Sequence, residues 1–204
     1  MTTSKSIRQL NLFLEWTGHG LLWIGFVSVL LIALLFSSNN NNTSSIQSYM
    51  SFQHVWWNWR SNSLIDEQQQ HYNDEMNKNI TKLFCLFIAL LFDTIMVGII
   101  KFLFQCERPK ENNHSDMRLT VSIDAWSFPS GHASRSTMLY FLISYLWLSS
   151  TSFKSWFISG LLLAWNITLC YSRYAMHRHY FIDILAGYLL GYMEYWFIVQ
   201  LFNM

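Results

Sequence analysis

Five long apolar runs, separated by polar segments, set the pattern of the chain. They lie at 20–36, 83–100, 136–153, 155–172 and 184–202. At 1.5 Å of rise per residue, a helix of each length crosses or nearly crosses a hydrocarbon core about 30 Å thick. Asp93 and Glu194 are the charged residues within the five runs. The pattern predicts an all-α fold, a polytopic membrane bundle of about five transmembrane helices.

The longest polar segment lies between the first two runs, at about 37–80. It is rich in Asn, Ser, Gln and charged residues, a composition typical of a poorly ordered aqueous loop. Within it, residues 49–59 carry three tryptophans and suit a position at the lipid surface. We therefore predict one membrane-embedded domain over 1–204, with a polar, poorly ordered loop at about 37–80.

Composition and charge exclude several classes of protein. Hydrophobic residues make up 52% of the chain and charged residues 12%, against about 25% charged in a soluble domain. The formal net charge of +1 provides no global field for nucleic acid, so no nucleic-acid partner is expected. The three cysteines have no spacing typical of a zinc site or a disulfide framework, and we interpret them as packing residues.

The polar chemistry concentrates in three segments that the predicted topology brings to one membrane face. A span that ends near residue 104 and a span that starts near 132 open on the same side, as does the turn between the last two spans. Binding sites in helical bundles are commonly built from such converging segments. We therefore look for function at this face.

The first segment contains Lys101 and, seven residues later, Arg108 followed by Pro109. Positions seven apart lie on one face of a helix, and the proline predicts that the helix ends near Arg108. Two cations that snorkel at the end of a span are the alternative interpretation.

The second segment is Pro129-Ser130-Gly131-His132, directly before the third span. Ser130 is placed to cap that helix, whose N-terminal N–H groups favour an anion, and Gly131 allows a close approach of the backbone. Arg135 adds a cation on the same face. The alternative is a capping serine beside an unrelated histidine.

The third segment places Arg173 before His179, which lies one helical turn before Asp183. A carboxylate in this position fixes the imidazole tautomer and leaves the other nitrogen free to attack or to exchange a proton. A purely structural pair is the alternative. His177 and Arg178 are interpreted as interfacial residues.

Two kinds of ligand suit these histidines. His132, His179 and Asp183 could supply three ligands to a metal ion, but nearby Lys and Arg side chains would oppose a divalent cation. An oxyanion such as a phosphate fits three cations and a helix N-terminus better. We expect no metal and no cofactor.

Together the three segments resemble the signature of the type 2 phosphatidic acid phosphatase superfamily. The matching positions are Lys101-x6-Arg108-Pro109, Pro129-Ser130-Gly131-His132 and Ser172-Arg173-x5-His179-x3-Asp183. The resemblance implies a metal-independent lipid phosphate phosphatase that acts through a phosphohistidine. It implies that His179 is the nucleophile, Asp183 its orienting partner and His132 the acid for the leaving group. It also implies phosphate-binding roles for Lys101, Arg108, Ser130, Gly131 and Arg173.

A narrower resemblance is carried by residues 116–135, 15–20 and 191–195. Their sequences are DMRLTVSIDAWSFPSGHASR, EWTGHG and GYMEY, which are similar to the presqualene and polyisoprenoid diphosphate phosphatase branch. This resemblance implies substrates such as presqualene, farnesyl or geranylgeranyl diphosphate. It also implies a location in the endoplasmic reticulum or nuclear envelope.

Other functions remain compatible with the sequence. Within the enzymes, the alternative is a phosphatase for phosphatidate or another glycerolipid or sphingolipid phosphate. Outside them, the alternatives are an ion or proton transporter, with Asp93 in a relay, and a catalytically silent membrane scaffold. Ser134 and Ser136 are expected to face neighbouring helices, and Glu194 to lie at the interface or within the bundle. The expected partners are a lipid phosphate substrate and membrane lipids, and a homo-oligomer is compatible with the sequence.

Overall fold

The computed structural model describes residues 5–50, 59–110, 126–148 and 151–203. Within these ranges the secondary structure is helical, as the apolar pattern predicts. The helices are α1 (Lys5–Thr17), α2 (Gly20–Met50), α3 (Trp59–Phe104), α4 (Gly131–Trp147), α5 (Phe153–Ala175) and α6 (Phe181–Leu201). The predicted all-α class is confirmed.

Among the described residues, four segments are long and apolar enough to cross a bilayer. They are Gly20–Ser38, Gln70–Phe104, Phe153–Ala175 and Phe181–Leu201. The remaining predicted span, 136–153, corresponds to α4, which is 17 residues long and ends at Trp147. It ends there because a run of Ser and Thr follows, and such side chains favour turns and caps over helix. Ser152 in this run caps α5 by accepting a hydrogen bond from the Ser155 N–H. About five spans is consistent with this arrangement.

The chain divides into two compact units, Met1–Ile24 with Ile88–Met204, and Gly25–Phe87. The second unit contains most of α2 and the first part of α3. Its described residues include 37–50 and 59–80, which are helical although the sequence predicts a loop there. Gln, Glu and Lys lose little rotamer freedom in a helix, so the composition of 59–80 tolerates helix as well as coil, whereas nothing in the Asn- and Ser-rich composition of 37–50 explains its helix. Residues 51–58, most of the Trp-rich stretch, lie outside the described ranges.

Helix α4 is the buried centre of the first unit. Its residues from Ala133 to Leu139 are all buried. Helix α6 approaches α4 closely through Gly187 and Gly191, which lie one turn apart. A Cβ at Gly187 would lie 2.5 Å from the Ser130 carbonyl oxygen, and a Cβ at Gly191 would overlap the Ser134 carbonyl oxygen. This is the small-residue packing that lets membrane helices touch backbone to backbone.

Polar side chains of α4 are hydrogen-bonded to its neighbours. The Ser134 hydroxyl donates to Glu194 Oε2 on α6 at 3.3 Å, and the Ser136 hydroxyl donates to Asn166 Oδ1 on α5 at 2.8 Å. The prediction that both serines face neighbouring helices is confirmed, and Glu194 is packed in the bundle at 2% exposure. Hydrogen bonds of this kind hold helices together where water is absent.

Candidate active site

Backbone hydrogen bonds tie the three predicted segments to one another. The Ser127 N–H donates to the Cys106 carbonyl at 2.9 Å, which joins the segment after α3 to the segment before α4. The Ser130 N–H donates to the Asp183 carbonyl at 3.0 Å, which joins α4 to α6. The predicted convergence of distant segments is therefore present in the fold.

Lys101 and Arg108 reach the site differently from the sequence prediction, which placed both on one helix face. Helix α3 ends at Phe104, and Gln105 has a positive φ of 45° that turns the chain out of the helix. Arg108 therefore lies in the irregular segment after α3, where its Nη1 donates to the Arg178 carbonyl at 3.0 Å. Lys101 remains helical and is 2% exposed. The prediction that Lys101 and Arg108 share a helix face is wrong, because the left-handed backbone at Gln105 ends the helix before Arg108.

His179 is buried in the short segment between α5 and α6. Its Nδ1 lies 2.7 Å from the Ser127 carbonyl oxygen, a geometry that suits an Nδ1–H donor. Asp183 Oδ2 lies 3.8 Å from the same nitrogen, too far for a hydrogen bond, and accepts instead from the Tyr180 N–H at 2.9 Å. A main-chain carbonyl thus fixes the imidazole, with the carboxylate close behind it.

Burial and local charge keep the His179 imidazole neutral. The pKa of His179 is lowered to about 4, with burial as the largest cause. The positive charges of Arg108, Lys101 and Arg173 act in the same direction, and the interaction with Asp183 opposes the shift. With the tautomer fixed at Nδ1, the lone pair of Nε2 is available at neutral pH. This combination is what a nitrogen nucleophile requires.

Ser130 stands at the N-cap position of α4 but does not cap it. Its hydroxyl makes no hydrogen bond to the helix and is fully buried, and no partner for it lies among the described residues. The Nε of Arg173, which is 1% exposed, also lacks an acceptor within the described ranges. Buried donors without acceptors are costly, so these atoms mark a position for an oxyanion.

Gly131 packs tightly against Val97 of α3. A Cβ at this position would lie 3.1 Å from Val97 Cγ1. The glycine therefore lets the first turn of α4, with its exposed N–H groups, sit tightly against the helix that carries Lys101.

His132 contacts the turn that follows α1. Its Nε2 lies 3.3 Å from the Glu15 carbonyl oxygen, a contact that suits an N–H donor. A Cβ at Gly18 would lie 2.8 Å from His132 Cδ2, so only glycine fits beside the ring. The N-terminal turn thus holds the imidazole in place.

Three residues at the site have functional contacts that the sequence reasoning did not assign. Arg178 is not interfacial as predicted: it is 2% exposed, and its Nη2 lies 3.3 Å from Glu15 Oε2. Glu15 Oε1 lies 3.4 Å from Arg173 Nη1. Ser127 acts through its carbonyl, which no side-chain pattern reveals. The signal available in the sequence was the placement of Arg178 directly before His179 and of Glu15 in EWTGHG.

The Asp93 and Arg135 side chains pair with each other away from these donors. Arg135 Nη2 lies 2.7 Å from Asp93 Oδ2, and Arg135 Nη1 donates to the Gly18 carbonyl at 3.2 Å. Arg135 was expected to add a cation on the same face as Ser130 and His132. Their ion pair instead links α3 to α4 and to the turn after α1.

The donor set suits an anion. Over the part of the chain that the structure describes, no three His, Cys, Asp or Glu side chains converge to hold a metal ion. Guanidinium groups surround the imidazoles instead, and their forked N–H groups match the oxygens of a phosphate.

Comparisons with known proteins agree with this arrangement. The profile of the PAP2 superfamily matches residues 82–204, which include all three segments of the site. An Arabidopsis thaliana protein named "Probable lipid phosphate phosphatase beta" is 35% identical over 127 residues, which cover 52% of this chain and 59% of the relative. The chain therefore spans about three fifths of that relative's length. No solved structure matches this chain. Because the profile matches more than half of this chain, the chain belongs to the PAP2 superfamily.

Proposed function

We propose that this chain hydrolyses lipid phosphates or diphosphates in the membrane, without a metal ion, through a phosphohistidine at His179. The observation that carries the proposal is a buried neutral imidazole among the cations Lys101, Arg108 and Arg173. Phosphoryl transfer depends on positioning and on stabilising charge at the phosphoryl oxygens, which such cations provide. The superfamily match and the name of the plant relative support the same chemistry.

The first half-reaction uses His179 as the nucleophile. The Nε2 lone pair forms a bond to phosphorus while the bond from phosphorus to the leaving oxygen breaks. Nδ1 keeps its hydrogen, which it donates to the Ser127 carbonyl, so the phosphorylated ring carries a positive charge. Asp183, 3.8 Å away, stabilises that charge.

His132 moves the protons. Burial and the positive charges of Arg173 and Arg135 hold the pKa of His132 well below its usual range, so its protonated form is the minor one at neutral pH and a strong acid. That form donates a proton to the leaving oxygen and becomes neutral. In the second half-reaction it accepts a proton from water, whose oxygen bonds to phosphorus as the P–N bond breaks. The products are inorganic phosphate and the lipid, as an alcohol from a monophosphate or as a monophosphate from a diphosphate, and His179 returns to its neutral form.

Polyisoprenoid diphosphates are the proposed substrates, with presqualene, farnesyl and geranylgeranyl diphosphate as the examples. The similarity of residues 15–20, 116–135 and 191–195 to that branch supports this choice, and it also supports a location in the endoplasmic reticulum or nuclear envelope. Phosphatidate is the alternative, because the plant relative is named for lipid phosphates in general.

The test is phosphate release by the detergent-solubilised full chain in the presence of EDTA. Farnesyl diphosphate, presqualene diphosphate and phosphatidate are offered in parallel to wild type and to His179→Ala. We expect release from the isoprenoid diphosphates and a loss of about 10³-fold or more in the variant. His177→Gln is the matched control, since His177 is exposed in the same turn.

Each outcome decides one level of the proposal. Dominant release from phosphatidate would retain the phosphatase and reject the isoprenoid substrates. Wild-type rates in His179→Ala would reject the phosphohistidine. Absence of release from all three lipids would favour a silent scaffold.

A further inference from the structure

The Glu15 carboxylate lies between two buried guanidinium groups. One oxygen is 3.4 Å from Arg173 Nη1, and the other is 3.3 Å from Arg178 Nη2. Arg173 and Arg178 are 1% and 2% exposed, whereas the Glu15 side chain is 22% exposed. The two carboxylate oxygens thus contact the two guanidinium groups in the way that two oxygens of a phosphate would. The carboxylate is also more exposed than either arginine.

The two arginines have more donors than Glu15 can satisfy. Among the residues that the structure describes, Arg173 Nε and Arg178 Nη1 are buried without an acceptor. A carboxylate presents two oxygens and one negative charge, whereas a phosphate group presents more of each. A phosphate ligand would therefore satisfy this pair of side chains more completely than Glu15 does.

The backbone holds Arg178 next to the proposed nucleophile. Its N–H donates to the Arg173 carbonyl at 3.0 Å, and its carbonyl accepts from Arg108 Nη1 at 3.0 Å. His179 is the next residue. Arg178 is therefore fixed in the turn that presents the imidazole, and it links two of the candidate phosphate ligands.

We propose that Arg173 and Arg178 form one anion subsite, which the Glu15 carboxylate fills in the unliganded protein and which substrate phosphate takes over. Arg178 then contacts phosphate oxygens as a further substrate-binding residue. This inference rests on the proposed phosphatase function. Buried guanidinium groups need a counter-charge at all times. Glu15 therefore supplies that charge after product release and until the next substrate binds.

A purely structural role for Glu15 makes the opposite prediction for phosphate affinity. If Glu15 only anchors the arginines, its loss would disorder them and weaken phosphate binding. If Glu15 competes with phosphate, its loss removes a nearby negative charge and strengthens binding. The sign of the change therefore separates the two roles.

The experiment measures the binding of inorganic phosphate to the full chain in detergent micelles. Ligand binding to the folded state raises the unfolding temperature, and the phosphate dependence of that shift gives Kd without turnover. We expect Glu15→Gln to lower the Kd for phosphate about tenfold and Arg178→Gln to raise it about tenfold. Glu75→Gln and His177→Gln, which alter exposed residues, are the matched controls and should leave Kd unchanged.

A second variant of Glu15 keeps the inference testable if Glu15→Gln does not fold. Glu15→Asp keeps the charge but withdraws it from both guanidinium groups, and it should also lower the Kd for phosphate. An unchanged or higher Kd in either folded variant would overturn the inference. In that case, continued phosphate binding and His179-dependent hydrolysis by the wild type would leave the proposed function intact. Absence of phosphate binding by the wild type would overturn both.

Discussion

Two buried groups of charged side chains in the first unit differ in their balance of charge. The site cluster contains Lys101, Arg108, Arg173 and Arg178, and its nearby carboxylates are Glu15 and Asp183. The core cluster contains Arg135 with Asp93, and Glu194 joins it through Ser134. Among the described residues, cations outnumber carboxylates in the site cluster, whereas carboxyl groups outnumber the guanidinium in the core cluster.

This difference teaches which buried charges call for a ligand. Arg135 is 8% exposed and has a carboxylate and a carbonyl of its own chain as partners. Arg173 is at least as deeply buried, and the Nε of each arginine lacks an acceptor among the described residues. The difference is that Arg173 shares its carboxylate, Glu15, with Arg178. A buried cation with its own counter-charge stabilises the fold, and a buried excess of cations binds an anion. The two arginines should therefore fail in different ways when they are replaced.

The largest expected effect is on stability, from Arg135→Met. Removal of the guanidinium leaves the fully buried Asp93 without its counter-charge, which costs roughly 3–5 kcal/mol of unfolding free energy. Denaturant unfolding in detergent micelles measures this loss. The double variant Asp93→Asn with Arg135→Met should recover part of it, because the unpaired charge is gone. If the double variant is no more stable than Arg135→Met, the stability loss does not come from the unpaired charge of Asp93.

The next effect is on catalysis, from Arg173→Gln. Loss of a preorganised donor to the phosphoryl oxygens should lower kcat/KM about 10²- to 10³-fold. The unfolding free energy should change by less than about 1 kcal/mol, since Glu15 keeps Arg178 as a partner. Phosphate release and denaturant unfolding are measured on the same preparation.

Lys154→Gln is the matched control for Arg173→Gln, because it removes an exposed positive charge from the other end of α5. It should leave both quantities unchanged. A large loss of stability in Arg173→Gln with normal turnover of the folded fraction would contradict the assignment of Arg173 to a ligand site.

Local features of the site could be predicted from the sequence, and its long-range contacts could not. The apolar runs located the helices, and the motif spacing selected His132, His179 and Asp183 as candidate site residues, because both patterns depend on neighbours along the chain. The pairing of Asp93 with Arg135 depends on how α3 packs against α4, which no spacing encodes. The contact between His179 and the Ser127 carbonyl is equally unpredictable from the sequence, since every residue has a carbonyl group.

The errors have the same origin. Arg108 was placed on a helix because its spacing from Lys101 fits one, but the turn at Gln105 ends the helix first. Arg178 was interpreted as interfacial, but it is buried and contacts Glu15 of the N-terminal helix. In both cases the deciding feature, a backbone turn for Arg108 and a tertiary contact for Arg178, is not visible in the residue spacing.

A smaller effect should come from the two glycines of α6, which face the two clusters separately. Gly187 lies against Ser130 of the site, and Gly191 against Ser134, which donates to Glu194. An added methyl group at either position should cost about 1–3 kcal/mol of unfolding free energy. Only Gly187→Ala should also lower kcat/KM of the folded fraction, by about tenfold, because it displaces Ser130.

Unfolding and turnover measured on both variants test this distinction. Gly160→Ala on α5 is the control, since no atom lies within 4 Å of the added Cβ. Equal losses of kcat/KM in Gly187→Ala and Gly191→Ala would mean that α4 and α6 shift as one body and that the two clusters are not independent.

The smallest expected effect is a dependence of stability on pH that originates in the site cluster. The pKa of His179 is about 4 in the folded chain, against 6.5 for an ordinary histidine, so between these values the unfolded state binds more protons. Unfolding free energy should therefore rise with pH from about 4 to 6.5. Lowering the pH from 7 to 5 should cost wild type on the order of 1–2 kcal/mol more than it costs His179→Gln.

Inorganic phosphate sharpens this last measurement. Bound phosphate places negative charge among Lys101, Arg108 and Arg173, the cations that help to lower the pKa of His179. It should therefore raise that pKa and shrink the difference between wild type and His179→Gln at pH 5. The same addition should leave the stability loss of Arg135→Met unchanged, because the core cluster has its own counter-charge. A phosphate effect of equal size on both clusters would show that the anion acts on the whole fold and not on the site.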